Sequence, residues 1–270
     1  MNTVFVSILT SLLVSLITFT LGMKSGKNQA DRQRLKELYK NITVHFQNLK
    51  KGLESHTPKT WRSFSDKTGN SDPLVKRMIK NGDIIEINGK ISKRAEETEK
   101  QALALGWRFY DIYKDLHAIS IETIKKYATI HHEPTGNNYS TKKSESKIGR
   151  PYWQCGFGIL LDKKLIDEKI SYLNNSPNNG FNFEHTENGR ILYSVTIYPD
   201  DLTDISIKDL LYEINSTSIE KIENASSLLK QKEEICKDIN RIIKKSMRRA
   251  RDPHTFIETI GGAFLDIFKI

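Results

Sequence analysis

Residues 4–22, VFVSILTSLLVSLITFTLG, form the one uncharged apolar run in this 270-residue chain long enough to cross a bilayer. At about 1.5 Å per helical residue the run spans roughly 28 Å, the hydrocarbon thickness of an ordinary membrane. Twelve of its residues are Val, Ile, Leu or Phe, which favours insertion by about 4 to 7 kcal/mol before the Ser and Thr residues subtract a little. A helix buried in a soluble core is a poor alternative in a chain whose mean hydropathy is −0.51.

Orientation follows from charge. No Lys or Arg precedes the run, whereas Lys24, Lys27, Arg32, Arg34 and Lys36 follow it. The positive-inside rule then puts the N-terminus outside and the rest of the chain in the cytoplasm, at the inner (plasma) membrane. A cleavable signal would carry the opposite charge order, so residues 1–23 are expected to remain as a single-pass transmembrane anchor.

The net charge of +9 is concentrated in two places. Residues 24–51 hold eight Lys/Arg against Asp31 and Glu37, and residues 241–251 hold Arg241, Lys244, Lys245, Arg248, Arg249 and Arg251 against no acid. Lys24, Lys27 and the 241–251 cluster are the expected lipid contacts, since each basic residue near an anionic leaflet is worth about 1 kcal/mol. Ile239, Ile242, Ile243, Met247 and Ala250 supply an apolar stripe beside the second cluster, and the tail beyond it (Phe256, Ile257, Ile260, Phe264, Leu265, Phe268) could enter the interface. Aromatic residues do not interleave with the 241–251 charges, so a nucleic-acid partner is not expected.

Ser7, Ser11, Ser15 and Thr18 share one side of the anchor, a small-residue face of the kind that lets membrane helices associate. Leu35, Tyr39, Ile42, Phe46, Leu49 and Leu53 continue nearly in phase as a heptad seam. The pair of surfaces suggests a homo-oligomer or a partner membrane protein held through a coiled coil. The competing reading packs the seam on the chain's own globular part.

The remainder reads as helix-dominated α+β with a small antiparallel sheet. Residues 24–55 form a juxtamembrane helix and 56–132 a helical region, with a loop at 56–72, a short helix from Pro73 to Lys80, an apolar strand at Ile84–Ile87 and a long helix over 93–132 buried on two sides. The polar stretch 133–150 is expected as a flexible linker. Residues 151–270 open on a buried strand, Cys155–Leu161, continue into a helix at 162–173 and a hairpin at 181–198, and close with a long helix and the apolar tail. A two-residue Asn188-Gly189 turn would put the apolar sets of the hairpin on opposite faces. A three-residue loop with a bulge at Gly189 restores them and pairs Phe183 with Tyr193 and Phe181 with Val195. Thr217 and Glu220 match a capping box that would start the final helix.

No CxxC, HExxH, Walker, GxSxG or EF-hand pattern occurs, so no metal or cofactor is expected. The best candidate for covalent chemistry is Cys155 with His185, both on strands, with Gly156 and Gly158 leaving backbone amides open to an oxyanion. The chain therefore reads as a membrane-anchored protein that acts by interaction, as scaffold, sensor or docking effector. The rivals are a tethered Cys–His hydrolase or transferase and a membrane-disrupting effector working through the C-terminal tail.

Overall fold

The computed structural model describes residues 2–64, 72–133, 136–143, 150–172, 179–187 and 190–251, with the side chains of all of these except 2–10, 12–28 and 187. Its helices are α1 (Asn2–Glu54), α2 (Leu74–Asn81), α3 (Gly89–Ile124), α4 (Lys163–Ile170), α5 (Ile207–Lys221) and α6 (Ala225–Arg251). Strands β1 (His131–His132), β2 (Asn137–Ser140), β3 (Tyr152–Gly156), β4 (Gly180–Glu187) and β5 (Arg190–Ile197) make one mixed sheet in the order β1-β2-β5-β4-β3. The fold is thus helix-dominated α+β. Among the described residues no helix is long and apolar enough to cross a membrane. Apart from Ser11, the side chains of the 4–22 run lie outside them, as does everything from residue 252 onward.

The chain forms two compact units. The first comprises Met1–Gln47, Leu74–Glu96 and Asn240–Ile270, and the second Asn48–Pro73 and Glu97–Ile239. In the first, Tyr39, Ile42 and Phe46 of α1 are buried, as are Val75 and Met78 of α2 and Ile91 and Ala95 of α3. The Asn88 backbone N–H donates to the Tyr39 hydroxyl at 3.0 Å, and the Asn88 side chain caps α3. Where a strand is expected at Ile84–Ile87, Asp83–Glu86 form a 3-10 helix entered through left-handed Gly82 (φ 78°). Ile85 is 85% exposed and Ile87 alone of the apolar run is buried; Arg34 ties this turn to α1 through Asp83 (3.0 Å) and Glu86 (2.8 Å). Leu49 and Leu53 continue the buried seam into the second unit, while Leu35 is half-buried. From Tyr39 onward the heptad surface expected as an oligomer face is covered by the chain itself.

In the second unit α3 buries Ala102, Leu103, Phe109 and Leu116, while Trp107 and Tyr110 are half-buried and a further row, Leu105, Ile112 and Ile119, is buried beside them. The sheet is not purely antiparallel. β2 runs parallel to β5, and β3 parallel to β4. Strand β2 lies inside the 133–150 stretch expected as linker, where its Asn138 accepts a hydrogen bond from Ser194 at 2.8 Å. Of the strand expected at Cys155–Leu161 only Cys155 and Gly156 are strand, at the end of β3, while Phe157–Leu161 turn into a fully buried 3-10 helix.

The hairpin keeps its faces by another route. Phe183 pairs with Val195, Phe181 with Ile197 and His185 with Tyr193, whereas Thr186 pairs with Ile191 and Glu187 with Arg190. Leu192 is the extra residue, so the bulge sits in β5 and not at Gly189. The parity argument survives, because one inserted residue at either place returns Phe181, Phe183, Val195 and Ile197 to one buried face. The final helix is two helices. Ser206 caps α5 by accepting from the Asp209 N–H at 3.1 Å, and left-handed Asn224 (φ 66°) separates α5 from α6. Thr217 and Glu220 fall inside α5 rather than at a helix start.

Candidate functional site

The second unit holds a cleft of about 560 Å³ whose walls come from residues 56–63, α3, the end of β3 and the end of β4. On α3, Gly106, Trp107, Tyr110 and Tyr113 recur at helical spacing and face it. Opposite them His185 meets Tyr110 and Tyr113, each at 4.7 Å between ring centroids. Arg62 stacks on Trp107 at 5.2 Å.

Glycines make the wall at 56–59 possible. A Cβ at Gly158 would sit 2.5 Å from the His56 Cβ, one at Gly106 would sit 2.5 Å from the Lys59 carbonyl oxygen, and one at Gly52 2.8 Å from the Thr57 oxygen. A Cβ at Gly156 would sit 3.3 Å from the Thr57 methyl. Of the two glycines expected to leave amides open, Gly158 admits the His56 backbone, its Cβ position lying 2.6 Å from the His56 carbonyl oxygen. Helix α1 ends in a Schellman arrangement, with Thr57 N–H donating to Gly52 O (2.8 Å) and His56 N–H to Leu53 O (3.2 Å). The left-handed position, usually Gly, is His56 (φ 49°).

His56 is a hub the sequence reading missed. It is 0% exposed, and its carbonyl accepts from the Tyr113 hydroxyl at 3.0 Å. Its Nε2 lies 3.0 Å from the Lys232 Nζ and 3.3 Å from the Asp162 carboxylate, with Lys232 and Asp162 3.5 Å apart. Burial lowers the His56 pKa, so the ring is neutral at pH 7. Contact with His56, reinforced by the Lys232 charge, holds Asp162 well below the usual carboxylate range. In either tautomer Nδ1 has no partner: it is a bare N–H if Nε2 accepts from Lys232, and a bare lone pair if Nε2 donates to Asp162.

Cys155 and His185 do line the same cleft. Cys155, 4% exposed, also borders a second cavity of about 380 Å³. No hydrogen bond joins the two side chains. The His185 Nε2 is buried without a partner, and burial lowers its pKa. Burial likewise pushes the Cys155 thiol up to about 11, leaving about one molecule in ten thousand as thiolate at pH 7. A neutral imidazole could serve as a base, but with no hydrogen bond to it and a raised pKa the Cys155 thiol is not activated by His185.

The basic residues expected at lipid fall in the first unit. Arg241, Lys244, Lys245, Arg248 and Arg251 are exposed and Arg249 is half-buried, while Ile242 and Ser246 form the inward stripe and Met247, expected to join it, is 43% exposed. Lys24 and Lys27, and Ser7, Ser15 and Thr18 of the anchor face, have side chains outside the described residues; Ser11 is exposed. Compared with known proteins, the chain matches no family model, no curated protein and no solved structure.

Proposed function

We propose that the chain is a single-pass membrane protein, N-terminus outside, whose cytoplasmic α+β body works at the inner leaflet by binding. The partition of charge carries this reading. The unit that includes the apolar 4–22 run holds 19 Lys/Arg against 8 Asp/Glu, whereas the other holds 23 against 25. A strongly basic unit that carries the apolar run, in the same chain as a nearly neutral one, fits a body tethered to an anionic surface by the first, since attraction fades within a Debye length of about 8 Å. The small-residue side of the anchor, Ser7, Ser11, Ser15 and Thr18, offers a face for a second copy or another membrane helix.

A tethered Cys–His enzyme is the second reading, favoured by the shared cleft of Cys155 and His185 and disfavoured by the protonated thiol. Carbonate washing of membranes from cells making the full chain tests the first: the protein stays in the pellet and its C-terminus resists protease added outside. Release into the wash, or digestion from outside, refutes it. Leaflet contact is read by amide exchange of the reconstituted chain, where residues 241–251 slow on vesicles containing phosphatidylserine relative to phosphatidylcholine alone.

A further inference from the structure

We propose that the second unit pairs with a second copy of this chain along the outer edge of β3, antiparallel about a two-fold axis at Tyr152, so that two five-stranded sheets become one. The inference stands apart from the membrane reading and from the anchor face, because the whole sheet belongs to the second unit.

Which main-chain groups face outward follows from one hydrogen bond. β3 is the end strand of the sheet and runs parallel to β4. The Gly180 N–H donates to the Pro151 carbonyl at 3.1 Å, with Gly180 in register with Tyr152. Main-chain groups of a strand alternate in direction from one residue to the next, so those of Pro151, Trp153 and Cys155 face β4 and those of Tyr152, Gln154 and Gly156 face away. Among the described residues nothing hydrogen-bonds to the outward N–H and C=O of Tyr152 or Gln154. Both residues are exposed, Tyr152 by 52%. The usual guards of a sheet edge are missing as well: β3 carries no Lys, Arg, Asp or Glu and no bulge, and the N–H that Pro151 lacks would have faced β4.

Geometry selects the occupant and the register. The far end of the strand is closed, because Phe157 turns into the 3-10 helix and a Cβ at Gly156 would already sit 3.3 Å from the Thr57 methyl. The open part is therefore Tyr152 and Gln154, with exposed Arg150 two residues before Tyr152. That row is symmetric about Tyr152. An antiparallel copy places Tyr152 opposite the partner's Tyr152, exchanging two main-chain hydrogen bonds, and sets Gln154 against the partner's Arg150. An aromatic pair on the axis is favourable, and no two like charges face each other. Such a contact closes on itself, since both copies use the same edge and the other end of the sheet, β1, is only two residues long. A foreign extended segment would gain the main-chain bonds but not the matched Tyr152 pair.

The test is disulfide trapping in the full chain in detergent, with Cys155→Ala and Cys236→Ser removing the native thiols. Tyr152→Cys forms a covalent dimer on mild oxidation, since a hydrogen-bonded antiparallel pair holds its Cα atoms about 5.5 Å apart, within disulfide reach. Gln154→Cys links to co-expressed Arg150→Cys but not to itself, its own counterpart lying four residues along, about 14 Å away. Lys208→Cys, exposed on α5, stays unlinked. An association made by the anchor alone brings no particular residues of β3 together and lacks this pattern. Gln154→Pro added to Tyr152→Cys removes an outward N–H while leaving the β4 bonds, and lowers trapping about fivefold with the circular dichroism unchanged. Should that variant fail to fold, amide exchange of the natural chain decides: the Tyr152 and Gln154 amides are as slow as those of Trp153 and Cys155. Trapping at Tyr152→Cys no greater than at Lys208→Cys, self-linking of Gln154→Cys equal to that of Tyr152→Cys, or free exchange of the two outward amides overturns the proposal. So does capture of a different protein by Tyr152→Cys in native membranes in place of the self-dimer.

Discussion

Lowering the pH from 7.5 to 5.0 should destabilise the second unit by about 3 to 4.5 kcal/mol through its buried histidines. His56 is fully buried and its pKa is lowered chiefly by that burial. Below about pH 6.5 the unfolded chain therefore binds a proton that folded His56 refuses, and stability falls as pH falls, until the folded pKa is reached. One full proton corresponds to about 1.4 kcal/mol per pH unit. His117 and His185 are shifted the same way by burial, and partial solvent screening makes each worth a fraction of that. Together the three give a slope of about 2 to 3 kcal/mol per pH unit, large against a domain stability of about 5 to 15 kcal/mol. Asp162 does not contribute in this window: its lowered pKa stabilises the fold above about pH 4, and that stabilisation is lost only as pH falls further. Urea titrations of the full chain in detergent measure the slope. Trp61, Trp107 and Trp153 are the chain's only tryptophans and all lie in the second unit, so their emission reports it alone. The midpoint should drop by about 1 M urea per pH unit below 6.5, and His56→Gln should remove about one proton from the slope. A midpoint unchanged between pH 7 and 5.5 would show that these histidines are not held neutral by the fold.

Gly158→Ala and Gly106→Ala should each cost about 1 to 3 kcal/mol in thermal melts, because the new methyl group meets His56 or the Lys59 carbonyl at 2.5 Å. Gly89→Ala, with open space around its Cβ, should instead stabilise α3 by about 0.4 to 1 kcal/mol; equal losses at all three would sink the close-approach argument. In a Cys236→Ser background, maleimide should label Cys155 slowly at pH 7.5 and faster with each unit toward the thiol pKa of about 11; rapid labelling at pH 7.5 would revive the enzyme reading. Asn215→Ala strands the Leu160 carbonyl, which its side chain reaches at 2.8 Å, and should cost about 1 to 3 kcal/mol by chemical denaturation.

Local periodicity made the long helices legible. The α3 stripes, the α1 seam and the even pairing parity of the β4–β5 hairpin follow from spacings of 3.6 and 2 residues, which each segment carries within itself. The same locality limits what can be read. Whether the α1 seam met a second copy or the chain's own core depended on what lay across from it, and Tyr39, Ile42 and Phe46 are buried by this chain. The bulge could sit at Gly189 or at Leu192 with identical parity, so its place was open until the strands paired.

From the sequence alone come the apolar run with its charge order, the helix-rich α+β class, and Cys155 and His185 as residues worth placing together. Tertiary structure decided the parallel pairs β2–β5 and β3–β4, the division of charge between two units, and the site. Gly106 and Gly158 carry no local signal for the 56–59 segment that they admit, and Lys232 stands 176 residues from the His56 ring it faces. Such partners are chosen by burial: a charged or polar group removed from water must find a mate wherever the packed chain brings one, however far along the sequence it lies.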